Sequence, residues 1–290
     1  MSLVLTLLYV PADRPDRAEK ALASSADVVI LDLEDAVAPS AKDAARSGAA
    51  SVLSSFPSGG GREVQVRVNA PSTPWSADDL ALVAGLPPSV SVRVPKVASP
   101  SDVAAVRSVV GDRPVHVLLE TAAGVEAAYA IASAPGVASI GLGEADLASD
   151  LGLSGQGVED GLAWCRQRLV VAARAAGLPA PAMAVWTDLA DTDGLAASCV
   201  RGRGLGFVGR AAIHPKQLPV IEAAFRPAPD EVARAEEVVT AVEAAAAAGS
   251  GTAVLPNGRF LDVAMVDQAR RVLALADRTG PAPRPSPDLP

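Results

Sequence analysis

The sequence has little cysteine and no excess of positive charge, and each shortage excludes a class of protein. Only 2 of its 290 residues are cysteine. Cys165 and Cys199 lack metal-ligand spacing, so neither a disulfide-stabilised scaffold nor a zinc site is expected. The formal net charge of -8 argues against a nucleic-acid partner, because such binders neutralise phosphates with basic residues.

Long apolar runs are also missing. No stretch reaches the roughly 18 uninterrupted apolar residues that a membrane helix needs. The N-terminal segment is apolar only as far as Val10 and has neither a basic region nor a small-residue cleavage site, so it is interpreted as a first strand rather than a signal peptide. We therefore expect a cytoplasmic protein with no membrane partner.

Several common catalytic motifs are absent from the chain: the GxSxG elbow, the P-loop and HExxH. His116 lies inside a predicted strand, where a packed core histidine is the simpler interpretation. His214 follows the last predicted strand, where loop capping and a functional role are equally compatible. Lys96 ends a predicted strand, so Schiff-base aldolase chemistry stays open.

Half of the residues are apolar, which is enough to bury one large core. Short β-branched runs alternate with Ala-rich segments that have helical spacing, and this alternation predicts a parallel sheet covered by helices. Eight such strands close a (β/α)8 TIM barrel. The predicted strands are Leu3–Val10, Val28–Leu33, Val64–Val68, Val90–Val94, Val115–Leu119, Val137–Leu142, Ala182–Trp186 and Gly206–Ile213.

The pattern changes after the last strand and predicts three regions. Residues 1–226 form the catalytic barrel. Residues 227–279 form a C-terminal extension in which a hairpin-like flap separates two helices. The Pro-rich segment 280–290 has almost nothing apolar to bury and is predicted to be disordered.

Polar clusters follow most of the predicted strands, and in a barrel these ends meet on one face, where active sites are built. Glu120 and Asp146 follow adjacent strands and are hard oxygen ligands of the kind that suits Mg²⁺. Arg67 has the fork geometry for a carboxylate or an enolate oxygen. From spacing alone, a structural network of these acids with Arg67 or Lys96 is equally compatible.

The motifs also resemble a known family, the CitE-like branch of the HpcH/HpaI aldolase and citrate lyase superfamily. Each motif is short, but their order and spacing together are specific, and they cover nearly the whole barrel. They lie at Tyr9–Arg17, Val29–Val37 with Lys42 and Arg46, Arg67–Asn69, Val94–Val97, Leu119–Val125, Gly143–Gly152, Trp186–Asp188 and Gly206–Gln217.

The resemblance implies Mg²⁺-dependent cleavage of a 3-hydroxy-3-carboxyacyl thioester to an acetyl or propionyl thioester and an α-keto acid, with Mn²⁺ as a possible substitute. It assigns Glu120 and Asp146 as metal ligands, with Glu120 also facing the substrate, and Arg67 as the arginine that binds and stabilises the enolate oxygen. Glu34 and Asp35 match acids near the metal-bound waters, and they are expected to be catalytic. Arg14 and Lys20 match positions that meet the CoA phosphates.

Two details of the resemblance concern the substrate and the assembly. The aldolases that do not use CoA carry a histidine where this chain has Asp35, which favours an acyl-CoA lyase. Asp262 matches an aspartate that the flap of malyl-CoA and citramalyl-CoA lyases delivers to a neighbouring subunit. The resemblance therefore implies a homotrimer or a higher homo-oligomer.

The leading hypothesis is a lyase for a malyl-, methylmalyl- or citramalyl-CoA-like substrate. Three alternatives remain: a citryl-thioester lyase that needs a carrier protein, a CoA-independent metal-dependent aldolase, and a barrel that only binds an acyl-CoA or keto acid. Two motifs depart from the family wording. Glu144 is displaced by one position from the usual Gly-x-Glu-Asp-Leu pattern, so its role is not carried over, and Phe260 and Leu261 precede Asp262 where other residues are usual.

Overall fold

The computed structural model describes residues 3–54, 56–57, 62–250, 253–254, 258, 260–261 and 263–278. These residues divide into two compact units. One contains residues 4–222, and the other contains Leu3 together with the described residues from Ala223 onward.

The first unit is built on a parallel sheet with the strand order β6-β5-β4-β3-β2-β1-β7. Consecutive strands are neighbours, and β7 pairs with β1, as expected for strands that curl into a barrel. The strands are β1 (Thr6–Pro11), β2 (Val28–Asp32), β3 (Glu63–Arg67), β4 (Val90–Val94), β5 (Val115–Leu119), β6 (Val137–Leu142) and β7 (Arg210–Ala212).

Helices connect these strands, as the alternation in the sequence predicts. They are α1 (Pro15–Ala23), α2 (Lys42–Leu53), α3 (Ser76–Gly85), α4 (Pro100–Val110), α5 (Ala122–Glu126), α6 (Ala128–Ala132), α7 (Glu144–Asp150), α8 (Gly157–Ala175), α9 (Thr192–Gly204) and α10 (Leu218–Phe225). Two short 3-10 helices lie at Pro39–Ala41 and Pro215–Gln217.

One predicted strand is much shorter than expected. The segment Ala182–Trp186 forms a single parallel bridge, between Met183 and Arg210. Pro179 and Pro181 precede this bridge, and proline has no N–H to donate to a ladder. The segment nevertheless occupies the expected place beside the last strand, because the Met183 N–H donates to the Gly209 carbonyl at 3.0 Å.

Burial explains why β2 and β5 are almost continuous apolar runs. Every residue of β2, β4 and β5 is buried, as expected for parallel strands covered on both faces. His116 lies in this interior, with Nδ1 2.8 Å from Ser139 Oγ and Nε2 3.0 Å from Glu63. The packed-core interpretation of His116 is confirmed.

The second unit contains two helices and a short antiparallel pair of strands. Helix α11 (Pro229–Ala247) precedes the antiparallel pair β8 (Ala253–Val254) and β9 (Phe260–Leu261), and α12 (Val263–Ala276) follows. Leu261 is buried against apolar residues of α11. Asp262 and the Pro-rich segment 280–290 lie outside the described residues. Among the helices that are described, none is long and apolar enough to cross a bilayer.

Candidate active site

Arg67 is fixed in place by a buried aspartate on the neighbouring strand. The register of β2 and β3 sets Asp32 directly beside Arg67. Arg67 Nε and Nη2 donate to the two oxygens of Asp32 at 2.7 and 2.6 Å, a bidentate pair that defines the plane of the guanidinium. The Tyr9 ring lies 5.1 Å from the guanidinium carbon. The remaining nitrogen, Nη1, is therefore the one that faces the acids of the next loop.

Glu34 and Asp35 form that loop, which follows β2. Arg67 Nη1 lies 2.8 Å from Glu34 Oε2 and 3.2 Å from Asp35 Oδ2. Glu34 is buried and burial raises its pKa, whereas Asp35 is exposed. The buried Lys42 ammonium donates to the carbonyls of Leu33 and Glu34 at 2.6 and 2.7 Å, which anchors the loop to helix α2.

Lys96 joins the acids from three strand ends. Its ammonium lies 2.6 Å from Asp146 Oδ2, 3.0 Å from Glu34 Oε1 and 3.4 Å from Glu120 Oε2. Among the described residues, Lys96 is also the one non-glycine with a left-handed backbone, at φ 54°. Such conformations cost energy and cluster at functional sites. The structure thus brings Glu34, Glu120 and Asp146 together around the Lys96 ammonium.

The same environment argues against Schiff-base chemistry. Burial alone would lower the pKa of Lys96, but Asp146, Glu120 and Glu34 outweigh it and the pKa is raised. A Schiff-base lysine must be neutral when it attacks a carbonyl. The three carboxylates around the Lys96 ammonium thus favour its charged form over the neutral amine.

Glu120 is the most perturbed acid of this cluster. It follows β5 and is only 3% exposed. Burial, followed by the negative charge of Glu34, raises its pKa to about 7, although Lys96 and Arg67 oppose the shift. Its buried Oε2 atom makes no hydrogen bond. This oxygen faces the Lys96 ammonium at 3.4 Å without a hydrogen bond, so it could also accept a metal ion.

The donor set fits a magnesium-type site rather than a cage of protein ligands. Among the described residues, no group of three or more His, Cys, Asp or Glu side chains could hold a metal ion. Mg²⁺ commonly takes one or two carboxylates and fills its remaining positions with water and substrate. Glu120 and Asp146 could supply those two carboxylates, as the sequence predicts.

Gly143 leaves space for the Glu120 side chain. A Cβ atom at this position would lie within 2.6 Å of both Cγ and Cδ of Glu120. We expect Gly143→Ala to displace the Glu120 carboxylate and to lower kcat by about a hundredfold, since misplacing a catalytic group by about 1 Å has an effect of that size. Steady-state kinetics with saturating metal would measure the loss.

Gly157→Ala is the matched control, because a Cβ atom at that position would have no neighbouring atom within 4 Å. It should keep the activity of the parent chain. Equal activity in both variants would show that the position of Glu120 has no effect on turnover.

Glu144 is not part of the cluster around Lys96. Its two oxygens accept from Arg166 Nε and Nη2 at 2.8 and 2.7 Å. Arg166 lies on α8 and Glu144 begins α7, so this pair ties the two helices together. The displaced glutamate of the Gly-x-Glu-Asp-Leu pattern is therefore an anchor for the helix that carries Asp146.

Three other residues singled out in the sequence are exposed or cap a loop. Arg14 and Lys20 are exposed at and after the start of α1, and Arg14 pairs with Asp16 at 3.1 Å. Their predicted role toward CoA phosphates stays a prediction. His214 Nδ1 accepts from the Lys216 N–H at 3.1 Å, so loop capping is its observed structural role.

Sequence reasoning missed two residues that shape the site, Asp32 and Gly143. Asp32 lies within one of the family motifs, but the motif alone gives it no role. The sequence feature that could have indicated this role is an aspartate at the end of the otherwise apolar strand β2, since β3, the next strand, ends in Arg67. For Gly143 the sequence offers no such signal. A glycine is required there only because the Glu120 side chain occupies the space that a Cβ atom would fill.

Comparison with known proteins decides the family. A profile of the HpcH/HpaI aldolase/citrate lyase family matches residues 5–215. The chain belongs to this family. Membership confirms the predicted resemblance, the α/β barrel fold class and the expectation of an enzyme of the aldolase and citrate lyase family.

Relatives of full length extend the similarity beyond the barrel. A (3S)-malyl-CoA thioesterase of Cereibacter sphaeroides is 36% identical, over 94% of both chains. An L-malyl-CoA/beta-methylmalyl-CoA lyase of the same species is 34% identical, over 93% of both chains. The crystal structure of Mycobacterium tuberculosis CitE with magnesium, acetoacetate and coenzyme A has a TM-score of 0.79 and 34% identity, covering 94% of this chain and 98% of that one.

Proposed function

We propose that this family member is a Mg²⁺-dependent lyase that cleaves a 3-hydroxy-3-carboxyacyl-CoA of the malyl-, methylmalyl- or citramalyl-CoA type. The observation that carries the proposal is the cluster of Glu34, Glu120 and Asp146 around Lys96, with Arg67 beside it. Relatives and neighbours named for malyl-CoA, methylmalyl-CoA, coenzyme A and magnesium support the substrate class and the metal.

The reaction breaks the bond between the hydroxyl-bearing carbon and the carbon next to the thioester carbonyl. The hydroxyl loses its proton, the bonding electrons move into the thioester enolate, and the enolate carbon then gains a proton. The products are an acetyl or propionyl thioester and an α-keto acid. A divalent metal held by Glu120 and Asp146 would supply a Lewis acid for the oxygens of the keto acid.

Arg67 is the residue placed to stabilise the enolate oxygen. Asp32 holds its guanidinium in one orientation, so Nη1, the nitrogen that faces the loop acids, is in a fixed position before negative charge develops. Preorganised donors of this kind are commonly the largest single contribution to catalysis. Glu34 and Asp35, which lie 2.8 and 3.2 Å from Arg67 Nη1, are placed to hold the water or proton that the reaction exchanges.

A thioesterase is the second candidate, because a relative at 36% identity carries that name. Hydrolysis would add water across the thioester, giving a hydroxy acid and the free thiol of CoA. A lyase instead keeps the thioester and releases a keto acid. The two activities therefore differ in both products.

The deciding experiment offers malyl-, β-methylmalyl-, citramalyl- and citryl-CoA to the purified protein with Mg²⁺. Keto acid is measured as its phenylhydrazone and free thiol with a thiol reagent, each with and without EDTA. We expect keto acid without free thiol, abolished by EDTA. Thiol without keto acid would establish the thioesterase, and cleavage of citryl-CoA alone would favour a citrate-lyase-type enzyme.

The predicted C-terminal flap implies that the proposed site is shared between two subunits. We propose that residues 227–279 complete the active site of a neighbouring subunit in a homotrimer or higher oligomer, with Asp262 moving a proton at the thioester enolate. Asp262→Asn should then lower kcat by about a hundredfold, the lower end of general acid–base contributions, with little change in KM. Steady-state kinetics would measure both.

Mixed oligomers provide the test of the shared site. Asp262→Asn and Glu120→Gln subunits carrying different tags would be coexpressed and the mixed species isolated. Activity that neither variant has alone is expected, because some sites would combine both intact residues. Mixed oligomers that stay inactive would contradict a site shared between subunits.

A further inference from the structure

A cavity of about 410 Å³ lies beside the cluster of acids. Glu34, Asp35 and Lys96 line it and also belong to that cluster. Val37, Ala70 and Trp75 contribute apolar surface to the rest of its lining. The cavity therefore adjoins the proposed site without being part of its metal position, since neither Glu120 nor Asp146 lines it.

The polar groups of this lining are largely engaged within the protein. Lys42 donates to two backbone carbonyls and stacks on Trp75 at 5.2 Å. The Asn69 amide donates to the Leu33 carbonyl at 2.9 Å, and the Thr73 hydroxyl donates to the Ala70 carbonyl at 2.8 Å. Away from the charged groups of Glu34, Asp35 and Lys96, an entering group would thus meet mainly hydrocarbon surface.

The negative charges of Glu34 and Asp35, which line both the cavity and the acid cluster, exclude an entering group that carries a carboxylate of its own. Glu34 and Asp35 would repel it, and such repulsion is strong near a partly buried site. Lys96 offers little compensation, because Asp146 and Glu34 already hold its ammonium at 2.6 and 3.0 Å. An uncharged group is favoured.

The position of the cavity indicates which carbon carries that group. Glu34 and Asp35 are the contacts of Arg67 Nη1, and Arg67 is the proposed partner of the thioester enolate oxygen. Two lining residues, Glu34 and Asp35, thus adjoin the thioester side, whereas Lys96 connects the cavity to Glu120 and Asp146 on the keto-acid side. Because neither Glu120 nor Asp146 lines the cavity, we assign it to the thioester side of the scissile bond. A substituent on the carbon next to the thioester carbonyl is the one that could reach it.

We propose that this cavity is a subsite for an uncharged alkyl substituent longer than methyl on that carbon. The inference rests on the proposed lyase function and deepens it by naming a substrate class. The volume permits a chain longer than methyl. A methyl group fills about the space of one water molecule, about 30 Å³, whereas this cavity, which is partly open to solvent, has about 410 Å³.

The test is a series of malyl-CoA homologues with hydrogen, methyl, ethyl or propyl on that carbon. For the parent chain, kcat/KM with the propyl compound should be within about tenfold of that with malyl-CoA. Ser72→Phe and Ala70→Leu would fill the cavity from an exposed and a buried position. Each should lower kcat/KM for the propyl compound at least about tenfold, since one misplaced methylene changes selectivity by about 10 to 200-fold.

Malyl-CoA should be cleaved by both variants within about threefold of the parent rate, and Ser108→Phe, on the exposed surface of α4, should leave the whole series unchanged. Thermal melting would confirm that each variant is folded.

Equal loss of activity on all four substrates in a folded variant would overturn the subsite, because the cavity would then hold something common to every reaction. Cleavage of malyl-CoA with rejection of ethyl and propyl by the parent would also overturn it, while sparing the lyase function. Cleavage of none of the four would count against the proposed function, and the subsite would fall with it.

Discussion

Glu120→Gln is expected to lower turnover by at least about a thousandfold while the protein stays folded. The amide keeps the size of the side chain but cannot serve as an anionic metal ligand, so both the Lewis acid and its position are lost. Binding of Mn²⁺, followed by its electron paramagnetic resonance spectrum, should weaken in parallel with kcat. Asp146→Asn should behave in the same way.

The same substitution is expected to stabilise the protein at alkaline pH when EDTA is present. The folded pKa of Glu120 is raised from 4.5 to about 7, so the folded state holds a proton that the unfolded state has released. The contribution of Glu120 to the free energy of unfolding therefore falls as pH rises from about 4.5 to about 7. Glutamine has no such dependence, and urea unfolding at pH 5 and pH 8 would measure the difference.

Glu126→Gln is the matched control, because Glu126 is exposed at the end of α5 and should change neither metal binding nor stability. A Glu120→Gln variant that binds Mn²⁺ like the parent would remove the metal assignment. A variant that unfolds more readily than the parent at pH 8 would show instead that Glu120 serves as a structural partner of Lys96.

The elements of the barrel were predictable because burial on both faces leaves an unmistakable pattern. Strands β2, β4 and β5 are fully buried. The sequences of β2 and β5 are accordingly almost entirely apolar, whereas β4 alternates valine with the buried Ser91 and Arg93. The same reasoning overestimated the length of the strand at Ala182–Trp186, because the apolar run there predicted a full strand. Only Met183 forms a bridge there, after two prolines that cannot donate to a ladder.

Within the candidate site, residue types could be predicted but mutual geometry could not. The sequence placed Glu34, Glu120 and Asp146 at strand ends, which is enough to expect them on one face. It allowed a network of these acids with Lys96 but could not show the geometry, since the position of Lys96 depends on a left-handed backbone at a residue that rarely adopts one. It also could not show that Asp32 would orient Arg67, because the pairing follows from the register of two strands.

Arg67→Lys is expected to lower kcat by about a hundredfold to a thousandfold, although it keeps the charge. A lysine ammonium cannot make the two parallel bonds to Asp32 and also face Glu34 and Asp35, so the donor would lose its fixed orientation. Removing one preorganised donor from an oxyanion site typically has an effect of this size. The loss should appear in kcat more than in KM, because the enolate charge exists only after the bond begins to break.

Arg67→Met separates this catalytic effect from the structural one. It leaves Asp32, which is 1% exposed, as an unpaired buried carboxylate, and breaking such a pair typically costs about 3–5 kcal/mol. The methionine variant should therefore unfold at markedly lower urea concentration, whereas the lysine variant should be much closer to the parent. If Arg67→Lys keeps the parent kcat, the guanidinium geometry has no role in stabilising the enolate. If both variants lose stability equally and the lysine variant loses activity only in proportion to unfolding, Arg67 acts through the Asp32 pair alone.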